Sequence, residues 1–265
     1  IFCNKFNCIT NNTNFYFIYY YTNLKKIWQM KLIKKIFLLI RYKIWIIGLL
    51  NGVAANVELL PLIHKIKKIN TLIDVGSNKG QFILLSLKFF PDIKVFSFEP
   101  IKEILKKQKK FFKFYKKIIY YNLGIGSKNE YSNFFITNRI DSSSFLKIND
   151  SKNYNKNYNI IEKREIRIAT LDKILKEQKL VRPILMKIDV QGYELEVLRG
   201  ALKILKKIDY LILEVSKNKM YKKQPIENEV LKFLKKNSFI ILGQEKWTRI
   251  INTSFDQRDI LLKRK

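Results

Sequence analysis

The sequence predicts an α/β fold, a mostly parallel sheet with helices on both faces. Three observations predict it. From residue 71 onward, short apolar runs rich in Ile, Leu and Val alternate with segments of helical period. Two of only nine glycines, Gly76 and Gly80, sit directly after the first such run. The last two runs have no helix between them, so the final strand is expected to be antiparallel.

Taken in order, Leu72 to Val75 reads as a buried strand, Gly76 to Gly80 as a tight turn, and Gln81 to Phe90 as a helix. Strand 94–98 and helix 101–115 follow, then strand 118–123. Lys128 to Thr137 and Ile166 to Ala169 read as short extra strands. Thr170 is placed to cap the helix that begins at Leu171. The alternation then resumes with strand 184–190, helix 193–206, strand 209–215, helix 226–236 and strands 239–245 and 258–263. Asn149 to Asn159 is an Asn-, Lys- and Tyr-rich loop, expected to be mobile or a lid.

Three regions divide the chain: 1–29, 30–69 and 70–265. The first carries few charges and, because Met30-Lys-Leu-Ile has the look of a start, is expected to be upstream translation or a fragment end and not a module. In 31–50, five Lys and Arg residues interrupt an apolar run too often for a membrane-spanning helix, which needs about 20 apolar residues. Two readings stay open for this basic helical extension, a helix lying on a membrane surface and a cap packed on the domain, the cap being preferred.

The net charge of +30 is a first pointer to nucleic acid. Its composition argues otherwise: forty-three lysines against nine arginines, scattered over most helices, whereas planar phosphate recognition favours arginine. Cys3 and Cys8 are the only cysteines and His64 the only histidine. No disulfide framework, zinc site or histidine-bearing triad can be built for the main domain, and no metal is expected. Acid–base chemistry therefore falls to carboxylates, Tyr or Lys.

A strand, a glycine turn and a helix N-terminus make a close-approach site for a nucleotide-like ligand. About nineteen residues beyond the turn, Lys94-Val-Phe-Ser-Phe-Glu-Pro100 ends a second strand in Glu99, placed to meet ribose hydroxyls. Asn78 and Gln81 stand where a dinucleotide fingerprint wants glycine, and no P-loop run is present. What remains, Asp74-x-Gly76-x-x-x-Gly80, suits a ligand without phosphates such as S-adenosylmethionine. The second dense feature is Ile184-Leu-Met-Lys-Ile-Asp-Val-Gln-Gly-Tyr-Glu194. Lys187 and Asp189 share one face at the end of a strand, where open parallel sheets bind ligands. Glu194 is read either as a functional carboxylate or as a helix N-terminal cap. Glu214 ends the next strand at the same edge, and Asp141-Ser-Ser-Ser-Phe145 is a hydroxyl-rich loop.

Together Asp74-Val-Gly-Ser-Asn-Lys-Gly-Gln-Phe82, Phe98-Glu-Pro100, Ser142-Ser-Ser144, Thr170-Leu-Asp172, Lys187-Ile-Asp-Val-Gln-Gly-Tyr-Glu194, Leu198-Arg-Gly-Ala201 and Leu213-Glu214 resemble the FkbM family of S-adenosylmethionine-dependent methyltransferases. Ser77 and Gln191 stand where that family more often has alanine and glutamate. The resemblance implies a Rossmann-like class I methyltransferase fold with a seven-stranded sheet, and O-methylation of a sugar, glycan or other small hydroxylated metabolite. On that reading Asp74, Gly76, Asn78, Gly80, Glu99, Leu123, Gly124 and Asp189 bind S-adenosylmethionine. Asp189 is then the leading general base, followed by Glu194 and Glu214. The expected setting is the cytoplasm, with peripheral contact at the inner membrane face through residues 31–50. An RNA methyltransferase and a non-catalytic membrane-surface module on the same fold are the alternatives.

Overall fold

The computed structural model describes residues 33, 35–149, 158–250 and 253–265. The expectations for residues 1–29, and for a lid over most of 149–159, lie outside the described residues. A helical segment at 35–39 leads into α1 (Lys43–Leu50), and a one-turn α2 (Leu60–Ile63) precedes the first strand. Then come β1 (Thr71–Val75), α3 (Gln81–Phe89), β2 (Lys94–Phe98), α4 (Lys102–Phe111), β3 (Ile118–Tyr121), β4 (Gly124–Ile125) and β5 (Glu130–Thr137). The chain continues through β6 (Ile160–Ala169), α5 (Leu171–Ile174), β7 (Ile184–Ile188), α6 (Glu194–Arg199), α7 (Leu202–Leu205) and β8 (Tyr210–Ser216). It finishes with α8 (Glu227–Lys236), β9 (Phe239–Gln244), β10 (Thr248–Arg249) and β11 (Asp256–Arg264).

The main sheet runs β3–β2–β1–β7–β8–β11, with β9 and the two-residue β10 both pairing to the outer side of β11. The first five are parallel, and β11 is antiparallel to β8 as the missing helix predicted. The expected seven strands are present, and β10 makes an eighth. A second sheet of β4, β6 and β5 lies beside it, so the two extra strands of the sequence reading pair with each other.

Helix 193–206 was expected to be continuous and is not. A Cβ at Gly200 would overlap the backbone carbonyl of Gly126, so the chain passes close to β4 there and breaks into α6 and α7. Asp172 re-caps the second piece, its carboxylate accepting the N–H groups of Lys203 and Ile204 at 2.8–3.0 Å. Thr170 caps α5 as its position predicted, through the N–H of Lys173.

Side chains alternate across the pleat, and both sheet faces are covered. Ile73, Val75, Met186, Ile188, Leu211 and Leu213 belong to one core. Leu72, Leu185, Ile212 and Leu261 face the other, together with Phe82 on α3 and the N-terminal residues Trp45, Val57 and Leu59. Side chains from Trp45 to Ile66 thus contribute to the domain's second core. Trp45 is fully buried and edge-on to Tyr42, with ring centroids 4.7 Å apart. Among the described residues, no helix is long and apolar enough to cross a membrane.

Candidate functional site

Alternation also sets the polar row of the site. Asp74 has the parity of Leu72, Lys187 that of Leu185, Glu214 that of Ile212 and Asp259 that of Leu261. All four therefore point to the face that the N-terminal residues cover, at the end of the sheet where the parallel strands finish. Asp74 and Lys187 are register partners across β1 and β7, and Glu214 and Asp259 across β8 and β11.

These groups are strongly coupled. Lys187 is 4% exposed, and its ammonium donates to Asp189 at 2.8 Å. Burial disfavours its charge, but Asp189 and Asp74 hold its pKa above the usual lysine value. Asp189 is raised by burial, yet the charge and hydrogen bond of Lys187, with a 2.9 Å bond from the Gln191 amide, leave it below the ordinary carboxylate value. Asp74 is fully buried, neither carboxylate oxygen has a hydrogen-bond partner, and burial raises its pKa to about 6. Burial, then the charges of Asp189 and Asp259, push Glu214 well above its usual value. Burial lifts Asp259 to about 7, Lys187 opposing.

Gln191 joins this group to its surroundings. Its amide nitrogen donates to Asp189 and lies 3.4 Å from Glu214, while its oxygen accepts from the hydroxyl of buried Tyr221 at 3.1 Å. An ionised glutamate there would face two carboxylates with no proton to offer. Gln191 and Gly192 both have positive φ, +53° and +93°. The turn they make is clamped by Glu194, whose carboxylate accepts the Gly192 N–H at 3.0 Å. Glu194 is 4% exposed, does not line the cleft, and burial raises it to about 7. The bond to Gly192 makes Glu194 a brace of the turn that precedes its helix. In the serine loop, Ser142 and Ser143 line the cleft, while Ser144 is bound to the Gln191 carbonyl at 2.8 Å.

At the other end, the turn after β1 has positive φ at Gly76, Asn78 and Gly80. A Cβ at Gly76 would overlap the Asp189 carbonyl oxygen, so glycine is needed there to let the ends of β1 and β7 approach. Gly80 does not line the cleft; a Cβ there would strike the ring of Phe112, so its glycine serves the packing of α3. Glu99 is held at the rim by the N–H groups of Asn78 at 2.9 Å and Ile101 at 2.7 Å, and burial raises it to about 7. Ser77, Ser97 and Gln108 bond to one another beneath the turn.

One cleft of about 780 Å³ runs between the two ends. Gly76, Asn78, Glu99, Leu123 and Gly124 line one part, and Asp189, Glu214 and Asp259 the other. Asp74 lies beneath the floor, beside Lys187, and does not line it. The methyltransferase FkbM domain model matches residues 74–241. The chain belongs to the FkbM methyltransferase domain family.

Among solved structures, this FkbM-family chain is similar to magnesium protoporphyrin IX methyltransferase of Synechocystis PCC 6803, solved with bound SAM. Identity is 11%, 84% of this chain and 79% of that one are covered, and the TM-score is 0.44. It is also similar to a precorrin-6y C5,15-methyltransferase of Geobacter metallireducens GS-15, at 8% identity, 78% and 86% coverage and TM-score 0.43. An rRNA methylase of Streptococcus thermophilus matches at 12% identity, 78% and 94% coverage and TM-score 0.43. No curated protein matches the sequence.

The cleft fits a nucleoside-bearing cofactor. The side-chain oxygen of Asn78, in its wall, is buried without a hydrogen-bond partner. Leu123, Ile125, Phe98 and Ile101 supply an apolar wall beside Glu99, suited to a base next to a ribose. Sequence reasoning missed Asp259, Tyr221 and the N-terminal wall of Asn56 and Glu58. The antiparallel last strand was the available signal for Asp259, but its register with Glu214 was not readable. Tyr221 and Glu58 carry no motif.

Proposed function

We propose that this methyltransferase uses S-adenosylmethionine to methylate a hydroxyl of a sugar, glycan or other small metabolite. The observation that carries the reading is a single cleft with the buried carboxylate Glu99 at one end and protonatable carboxylates at the other. The cofactor, when bound, supplies an electrophilic methyl group. Glu99 would accept its ribose hydroxyls, and the turn from Gly76 to Asn78 would hold its amino-acid end.

A hydroxyl acceptor must lose its proton, and a base works best with a pKa near the working pH. Asp189 is held low, with hydrogen bonds on both oxygens, and is a weak base. Its task is to keep Lys187 charged and in place. Asp259, at about 7 and paired in register with Glu214, is the better proton acceptor. The base is therefore assigned to the Glu214–Asp259 pair in preference to Asp189.

Calorimetric titration with S-adenosylmethionine and its demethylated product, beside Glu99→Ala, tests the cofactor half. Binding should weaken by about tenfold or more in the variant, on the order of 1.4 kcal/mol. A folded protein that binds neither ligand would sink the proposal. For the acceptor half, methyl transfer to a panel of sugars should rise with pH through about 7, and Asp259→Asn should flatten that limb. An unchanged pH profile in the variant would remove Asp259 as the base.

A further inference from the structure

After Lys43, helix α1 is apolar at every position, a pattern that belongs to buried helices, yet only one side of it is buried. Trp45 and Gly48 face α3, while Ile46, Ile47, Leu49 and Leu50 are exposed, Leu50 by 80%. The helical segment before it repeats the arrangement. Leu39 is buried, and Ile33, Ile36, Phe37 and Ile40 form an exposed stripe at helical spacing, Phe37 exposed by 67%. Eight exposed apolar side chains in two neighbouring helical segments are more than scattered surface leucines, and such clusters mark interaction sites.

The charge around the face selects its partner. Among the described residues before Glu58, Lys35, Arg41 and Lys43 are basic and none is acidic. Arg41 and Lys43 are exposed between the two apolar stripes. Two copies of such a face would repel each other, whereas an anionic bilayer offers hydrocarbon and negative charge together.

We propose that the segment 35–50 docks on an anionic lipid bilayer, with Phe37 and Leu50 as apolar anchors and Arg41 and Lys43 at the headgroups. The segment also reaches the cleft, because Lys35, ion-paired to Glu58 at 3.0 Å, lines it with Ala54 and Asn56. Docking brings that wall of the cleft toward the headgroup layer. On the proposed function, which this consequence alone rests on, the acceptor hydroxyl is carried by a lipid-linked headgroup.

The test is co-sedimentation of the full chain with vesicles of phosphatidylcholine, alone or mixed with phosphatidylglycerol, across salt concentrations. Binding should require phosphatidylglycerol and weaken with salt. Phe37→Ser with Leu50→Ser, and separately Arg41→Glu with Lys43→Glu, should each weaken it by about tenfold or more without lowering the melting temperature. Absence of binding at low salt overturns the proposal. So does binding that the serine variant retains in full, which would be adsorption of the whole basic surface. Self-association abolished by the serine variant would give the face to a second copy instead. Vesicle binding is read without a methyl acceptor, so its failure leaves the methyltransferase reading standing, and failure of methyl transfer leaves docking standing.

Discussion

Replacing Lys187 with Met should destabilise the protein strongly, and more so at high pH. Lys187 is the only buried cation beside Asp74, Asp189, Glu214 and Asp259 among the described residues. Methionine fills much of the same volume, so the loss is chiefly electrostatic. Breaking a buried ion pair on one side costs about 3–5 kcal/mol. The penalty is capped wherever the orphaned carboxylates can protonate instead. A carboxyl kept protonated in the fold, against an unfolded value of 3.8, costs about 1.4 kcal/mol per pH unit above that value. That is about 2 kcal/mol per group at pH 5.5, and it grows with pH until the group ionises. Urea denaturation of wild type and Lys187→Met at about pH 5.5 and pH 8 measures both terms. The difference should widen by about 2 kcal/mol or more between them, and adding Asp189→Asn should recover part of it. A loss below about 1 kcal/mol that does not change with pH would refute the coupling described for this group.

Two further perturbations follow from the same geometry. Gly76→Ala should cost about 3 kcal/mol or prevent folding, because φ is +79° and the new methyl meets the Asp189 carbonyl. Gly52→Ala, at φ +72° with open space, should cost only about 1 kcal/mol, and equal effects in thermal melting would count against the close approach of β1 and β7. Without cofactor, stability should fall as pH rises from about 5 to 7, Glu214 adding to the fall in the same sense. Asp74, Glu99, Glu194 and Asp259 have folded pKa values raised to about 6 or 7, so the fold keeps protons that the unfolded chain has released. Asp189 acts with the opposite sign, adding stability above its unfolded value of 3.8, a contribution complete before this window opens. A melting temperature that rises across it would contradict the burial of these groups.

The sequence by itself determined the order of strands and helices, the antiparallel last strand, the glycine turn after β1 and the carboxylate at Glu99. These are local properties: apolar period, scarce glycine, and a spacing set by one βα unit. It also placed Lys187, Asp189 and Glu214 at one sheet edge, because side-chain parity and strand direction need no tertiary knowledge. Only the tertiary structure decided what each residue does there. Asp259 joins Glu214 through a register between strands more than forty residues apart. Glu194 and Gly80 serve the fold, since their neighbours, the Gly192 N–H and the Phe112 ring, come from the folded turn and a distant helix. The Asp189 carboxyl is held below its ordinary value because Lys187 is buried against it, and burial is a property of the assembled sheet. The N-terminal segment shows the same division. Its apolar and basic composition left a membrane helix and a packed cap both open, and three-dimensional packing buries Trp45 and Gly48 while leaving Phe37 and Leu50 to solvent. Burial and cross-strand register depend on contacts between residues far apart in the chain, which local pattern cannot encode.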